Sequence, residues 1–88
     1  MREPSWRIGY SPAARRDLRR LDPQIRTRLI AAIERAAAGD PRADIRKLAG
    51  SDEHRLRVGA WRVRFRRDAA SRELIILRVL PRGRAYDR

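Results

Sequence analysis

The sequence contains no cysteine, one histidine and one lysine among its 88 residues. The absence of cysteine excludes a disulfide framework, a zinc–thiolate site and a cysteine nucleophile. The longest wholly apolar run, residues 29–33, is far shorter than the ~20 residues that cross a bilayer. No apolar signal segment follows Met1, so we expect a cytoplasmic protein without a membrane partner.

The charge of the chain is strongly one-sided. Lys and Arg total 23 against 11 Asp and Glu, which gives a net charge of +12, and every basic residue except Lys47 is arginine. An arginine-rich composition by itself can reflect the nucleotide composition of the genome. The positions of the arginines must therefore show whether the excess is functional. Residues 54–88 hold 11 basic and 3 acidic groups, a net +8, against +4 for residues 1–53. The length permits one small domain, expected over 1–88, directed at an anionic partner.

The first half of the chain predicts one short strand and two helices. Residues 5–10 alternate apolar and polar side chains, as a strand does. Ser11-Pro12 and Asp22-Pro23 each supply an N-cap followed by proline at the first helical position, and Gly39 fits a C′ position. We therefore expect an αα-hairpin over 11–38, followed by a connecting stretch over 40–53.

The second half of the chain has a period of two from His54 onward. It predicts strands over 54–58, 61–67 and 73–80, with a two-residue turn at Gly59-Ala60. The predicted fold class is α+β: an antiparallel sheet with an N-terminal strand and the αα-hairpin packed on one face, in the order β-α-α-β-β-β.

The two-residue turn fixes a register that separates apolar from basic side chains. It pairs Arg57 with Arg62 and Arg55 with Arg64, and one face then holds the apolar set Leu56, Val58, Trp61, Val63 and Phe65. The opposite face holds Arg55, Arg57, Arg62, Arg64 and Arg66.

The register of the last strand extends the basic face. A five-residue loop over 68–72 would pair Arg67 with Glu73 and Arg62 with Arg78, and would place Leu74, Ile76 and Leu80 on the basic face. Directly opposed like charges cost up to roughly 1 kcal/mol per pair, which indicates a functional cluster rather than a merely solvated face. Arg82, Arg84 and Tyr86 follow the last strand and are expected at the same edge. Guanidinium groups bind phosphate oxygens in pairs, so an RNA phosphodiester is the expected ligand.

Three segments in this order resemble a known family. Residues 47–50 (K-L-A-G), residues 55–63 (R-L-R-V-G-A-W-R-V) and the final Arg82 and Tyr86 are similar to the RelE/ParE toxins of bacterial type II toxin–antitoxin systems. The resemblance implies a growth-inhibiting toxin linked to plasmid stabilization. It implies either a RelE-like, metal-independent endonuclease that cuts mRNA on translating ribosomes, or a ParE-like toxin that inhibits DNA gyrase without nuclease activity.

The resemblance also implies roles for individual residues. Catalysis falls to Arg57, Arg62, Arg82 and Tyr86, without a metal or other cofactor. Together with the basic face and edge found above, the resemblance leaves phosphate binding to Arg55, Arg64, Arg78, Arg84 and Lys47. Arg55 and Arg57 stand where the nucleases often have lysine, and arginine does not act as a base because its pKa exceeds ~12. Tyr86 would then accept the proton of the 2′-hydroxyl; alternatively it covers the sheet edge. His54 is expected to be structural.

The implied partners are a cognate antitoxin and either mRNA with the ribosome or DNA gyrase. The antitoxin would mask the basic face with a segment that folds on binding. Its docking surface is either the apolar positions on the basic face or the helical hairpin. A nucleic-acid-binding domain without toxicity is a third interpretation, and it predicts a steep salt dependence of affinity.

Overall fold

Five strands and two helices occupy residues 5–81, the part of the chain that the computed structural model describes. The elements are β1 (Arg7–Tyr10), α1 (Pro12–Arg19), α2 (Pro23–Ala37), β2 (Asp44–Lys47), β3 (Glu53–Val58), β4 (Trp61–Asp68) and β5 (Glu73–Pro81). The sheet has the order β1-β5-β4-β3-β2, with β1 parallel to β5 and the other pairs antiparallel. The α+β prediction is confirmed, with one strand more than expected. Neither helix within these residues is long and apolar enough to cross a membrane.

The additional strand is β2, inside the stretch predicted to be a connection. Ile45 pairs with Leu56 and Arg46 with Arg55. The strand has four residues, of which only Ile45 is apolar, so its alternation is too short to reveal a period. It forms because the edge of β3 offers unpaired backbone groups.

Both helices begin at the predicted caps. The Ser11 hydroxyl accepts a hydrogen bond from the Ala14 amide at 3.0 Å, and the Asp22 carboxylate accepts one from the Gln24 amide at 3.3 Å. Ser11 also donates from its hydroxyl to the Leu77 carbonyl at 2.9 Å, which fixes the start of α1 against β5. One residue therefore caps the helix and docks it on the sheet.

The predicted register between β4 and β5 is wrong. Asp68 pairs with Glu73, which leaves a four-residue loop, and a β-bulge near Leu77 shifts the pairing between Arg64 and Phe65. Because residues 74–77 are all apolar, the alternation of side chains cannot indicate which of them face the core. The Asp68 carboxylate accepts hydrogen bonds from two loop amides, those of residues 70 and 71, and so holds the tighter turn.

The tighter loop and the bulge together decide which side chains of β5 enter the core. The loop places Leu74 and Ile76 on the core face, and the bulge returns Val79 to that face. Leu74 and Ile76 are buried, contrary to the prediction that they lie on the basic face. The core lies between the helices and one face of the sheet, and its buried cluster is Ala14, Leu18, Leu29, Ile33, Ala37, Leu56, Val63, Phe65, Leu74, Ile76 and Val79.

Candidate nucleic-acid interface

The face of the sheet opposite the helices carries most of the strand arginines. Alternation along β2, β3 and β4 places all their basic side chains except Lys47 and Arg67 away from the core residues Leu56, Val63 and Phe65. We call this surface the arginine face; it comprises Arg46, Arg55, Arg57, Arg62, Arg64 and Arg66.

One row of arginines crosses four strands. Arg46 pairs with Arg55, Arg55 with Arg64, and Arg64 with Arg78. The sequence predicts instead a row through Arg57, Arg62 and Arg78, but the shorter loop and the bulge each shift the pairing by one residue, which places Arg78 opposite Arg64. Neighbouring Cα atoms in such a ladder are about 4.5–5.5 Å apart, so the row concentrates positive charge across the middle of the sheet.

Carboxylates relieve the repulsion at two positions of this row. The Nε of Arg64 donates to Glu53 Oε1 at 2.9 Å, and its Nη2 donates to the same oxygen. Arg78 reaches around the sheet edge to Asp17 on α1, with Nε to Oδ2 at 2.8 Å and Nη2 to Oδ1 at 3.2 Å. Because the Asp17 carboxylate accepts these hydrogen bonds, it raises the pKa of Arg78. A phosphate contact by either arginine would therefore exchange one anionic partner for another.

A second pair of arginines lies beside the Gly59-Ala60 turn. Arg57 and Arg62 are directly opposite each other on β3 and β4, as the two-residue turn predicts. The Arg57 side chain is 46% exposed, and its Nη1 lies 3.7 Å from Asp44 Oδ2, a loose surface pair. This guanidinium is the accessible member of the pair.

Arg62 is buried. The residue is only 1% exposed, and among residues 5–81 it is the only charged residue that is buried. Its Nη1 donates a hydrogen bond to the Trp61 carbonyl at 3.2 Å. Alternation predicts only that Arg62 leaves the core face. Because a buried cation is costly unless it is hydrogen-bonded, this guanidinium is held in a defined position.

Lys47 and His54 lie at the other end of the sheet. Lys47 pairs with His54 and His54 with Phe65, which puts all three on the core face, far from the turn. The His54 ring stacks on Phe65 with centroids 5.4 Å apart. Burial lowers the pKa of His54, and the charges of Arg67 and Lys47 lower it further. The structure thus places His54 on the core face against Phe65, and it places Lys47 away from Arg57 and Arg62.

The remaining predicted site residues, Arg82, Arg84 and Tyr86, lie outside the described residues 5–81. Sequence reasoning missed Arg46, because β2 was expected to be a connection. It also missed the carboxylates Asp17, Asp44 and Glu53, which contact arginines from other elements. The alternation Asp44-Ile45-Arg46 is a weak signal for the first, and no local signal indicates the contact between Asp17 and Arg78.

The fold and the site together define a class of small, basic α+β protein. It has a helical hairpin on one face of the sheet and clustered arginines on the other. A family model described as the ParE toxin of the type II toxin–antitoxin system parDE matches residues 8–86. The chain belongs to this family, in the RelE/ParE group of type II toxins, as the sequence motifs predict.

Solved structures are similar over nearly the whole chain. The toxin in the RelB-RelE antitoxin-toxin complex of Methanococcus jannaschii is 26% identical with a TM-score of 0.72, covering 90% of this chain and 95% of that one. In the RelBE2 complex of Mycobacterium tuberculosis the identity is 26% and the TM-score 0.67, covering 94% and 99%. In the RelE-RelB complex of Pyrococcus horikoshii OT3 the identity is 24% and the TM-score 0.72, covering 92% of this chain and 99% of that one. At this identity the likeness shows the shared fold. No curated protein matches the sequence.

Proposed function

We propose that this toxin is a RelE-like, metal-independent endoribonuclease that cuts mRNA on translating ribosomes. The observation that carries the proposal is the pair at the Gly59-Ala60 turn, where the accessible Arg57 lies directly opposite the fixed Arg62. An accessible guanidinium captures a phosphate, and a fixed one stabilises charge that develops on it. The arginine row beside the pair supplies further positive potential along an RNA backbone.

The proposed reaction uses the RNA's own 2′-hydroxyl as the nucleophile. Its oxygen attacks the adjacent phosphorus, and its proton passes to the Tyr86 phenolate. The bond from phosphorus to the 5′-oxygen then breaks, which leaves a 2′,3′-cyclic phosphate, and the 5′-oxygen leaves with a proton from water. Arg62 stabilises the charge on the phosphorane oxygens, Arg57 holds the phosphate, and Arg82 stabilises the departing oxygen. Arg55, Arg64, Arg78, Arg84 and Lys47 are the proposed further contacts to the RNA.

The test is primer extension on a translated mRNA after induction of the toxin. We expect new 5′ ends within codons, absent when ribosomes are removed. Arg57→Ala and Arg62→Lys should reduce cleavage by roughly 10²–10³-fold, the usual loss for one stabilising donor. Arg28→Ala, an exposed change on α2, is the matched control and should cleave normally. Growth arrest with an unchanged transcript pattern would overturn the proposal.

A ParE-like action on DNA gyrase is the second candidate. It is favoured by the arginines at positions 55 and 57, which do not supply a base, and by the description of the matching family. Purified gyrase separates the two: inhibited supercoiling with intact mRNA supports this alternative, and full supercoiling activity excludes it.

The proposed resting partner is a cognate antitoxin in the cytoplasm. The relatives from Methanococcus jannaschii and Mycobacterium tuberculosis were crystallised as toxin–antitoxin complexes. With a net charge of +12 the free toxin repels itself, and an acidic segment that folds on its surface would stabilise it. Identification of the adjacent open reading frame and its co-expression with the toxin, followed by size-exclusion chromatography, test this partner. Separate elution of the two proteins would contradict it.

A further inference from the structure

A basic cleft, separate from the Arg57–Arg62 pair, lies at the end of the sheet away from the Gly59-Ala60 turn. It has a volume of about 410 Å³ and forms where β2 ends, β3 begins and β4 ends. Its charged and titratable lining residues are Lys47, Asp52, His54, Arg66, Arg67 and Asp68.

Within residues 5–81, the three cations of this cleft have no carboxylate partner. Lys47, Arg66 and Arg67 form no ion pair with any of residues 5–81. Asp68 is occupied as a turn cap, because its Oδ1 accepts hydrogen bonds from two loop amides. In this respect the cleft differs from the arginine row, where Glu53 and Asp17 already bind the guanidinium groups of Arg64 and Arg78.

His54 forms part of the wall of the cleft. Its ring is fixed against Phe65, and its Nδ1 is buried without a hydrogen-bond partner within residues 5–81. Lys47 and Arg67 disfavour the protonated imidazolium. An anion placed between these two cations would reverse that effect, since it would compensate their charge and favour protonation.

We propose that this cleft binds a phosphate of a polynucleotide, as a second subsite remote from the Arg57–Arg62 pair. The proposal rests on the proposed function in taking RNA as the polymer. Arg62, Arg64 and Arg66 alternate to one side of β4, and four residues of strand span ~13 Å. A strand of RNA that follows β4 from the turn therefore reaches Arg66, which lines the cleft, and passes over the end of the sheet to Lys47 and Arg67, whose side chains belong to the core face. The polar lining of the cleft suits phosphate better than an apolar anchor.

The single histidine of the chain makes the test specific. His54 gives one imidazole Hε1 signal, which is followed by NMR across pH with and without a 2′-O-methyl RNA dodecamer that is not cleavable. We expect the oligonucleotide to raise the pKa of His54 by about one unit. The double variant Lys47→Ala, Arg67→Ala should bind the oligonucleotide about tenfold more weakly, with a salt slope lower by about 1. Both side chains are exposed, and Arg28→Ala is the control.

Three outcomes would overturn the second subsite. The first is a pKa of His54 that the RNA does not change, and the second is an unchanged affinity and salt slope in the double variant. The third is a pKa of His54 that responds to poly-glutamate but not to RNA, which would assign the cleft to protein carboxylates. Primer extension with the wild-type chain tests nuclease activity separately. If RNA binds the cleft but mRNA stays intact, the proposed function fails and the subsite stands.

Discussion

Asp17, which joins α1 to β5, should contribute strongly to the free energy of unfolding. Its carboxylate is 9% exposed, accepts a hydrogen bond from the Val79 amide at 2.8 Å and binds Arg78 with two further bonds. Asp17→Ala leaves the Val79 amide without its charged acceptor, which costs about 1.5–3 kcal/mol. The Arg78 pair adds about 0.5–1 kcal/mol, because that side chain is 43% exposed and screened by solvent.

The expected loss of unfolding free energy is therefore about 2–4 kcal/mol, measured by urea denaturation at neutral pH. For a domain of this size that corresponds to a fall in Tm of at least about 8 °C. Asp17→Asn keeps an acceptor for the Val79 amide and should lose about half as much. Asp52→Ala, an exposed acidic residue on a loop, is the control and should change stability by less than ~0.5 kcal/mol. If Asp17→Ala matches that control, the docking of α1 on β5 does not depend on this carboxylate.

Three further predictions concern the sheet. Because the pKa of His54 is lowered in the folded chain, the unfolded chain binds its proton more readily, and the free energy of unfolding should fall as the pH drops below ~6.5. His54→Phe should reduce the difference in unfolding free energy between pH 7.5 and pH 5, measured with urea, and an unchanged difference would contradict this. Gly59 has a φ of +57°, so Gly59→Ala should cost about 1–2 kcal/mol by thermal denaturation, whereas an unchanged Tm would show that the turn adapts. Arg57→Ala breaks only a loose surface pair with Asp44 and should change stability by less than ~0.5 kcal/mol while growth arrest is lost; a misfolded variant by circular dichroism would refute this separation.

Local sequence signals predict the elements that depend on local physics. The caps at Ser11 and Asp22 are contacts within a few residues, and they begin the helices where predicted. The Gly59-Ala60 turn is equally local and sets the observed pairing of Arg57 with Arg62. Each of these features is encoded within about five residues of chain, so one sequence is enough to find it.

Features that depend on distant contacts could not be predicted. The bulge near Leu77 lies at the end of the apolar run 74–77, in which alternation cannot indicate the core face, so the fit of β5 against the helices and β4 decides the register. The contact of Arg78 with Asp17 joins residues 61 positions apart. The burial of Arg62 contradicts the expectation that a polar position on an outer face is exposed, and no periodicity indicates it.

The docking of α1 on β5 has a consequence for self-association. Beyond the four residues that pair with β1, the edge of β5 has its Leu77 carbonyl bound by Ser11 and its Val79 amide bound by Asp17. A foreign strand therefore finds no continuous ladder along the most apolar strand of the molecule. The strands that remain at the two edges, β1 and β2, are only four residues long, and β2 carries Arg46 and Lys47. Short, charged edges resist edge-to-edge aggregation, so the chain can expose a long basic sheet without polymerising through it.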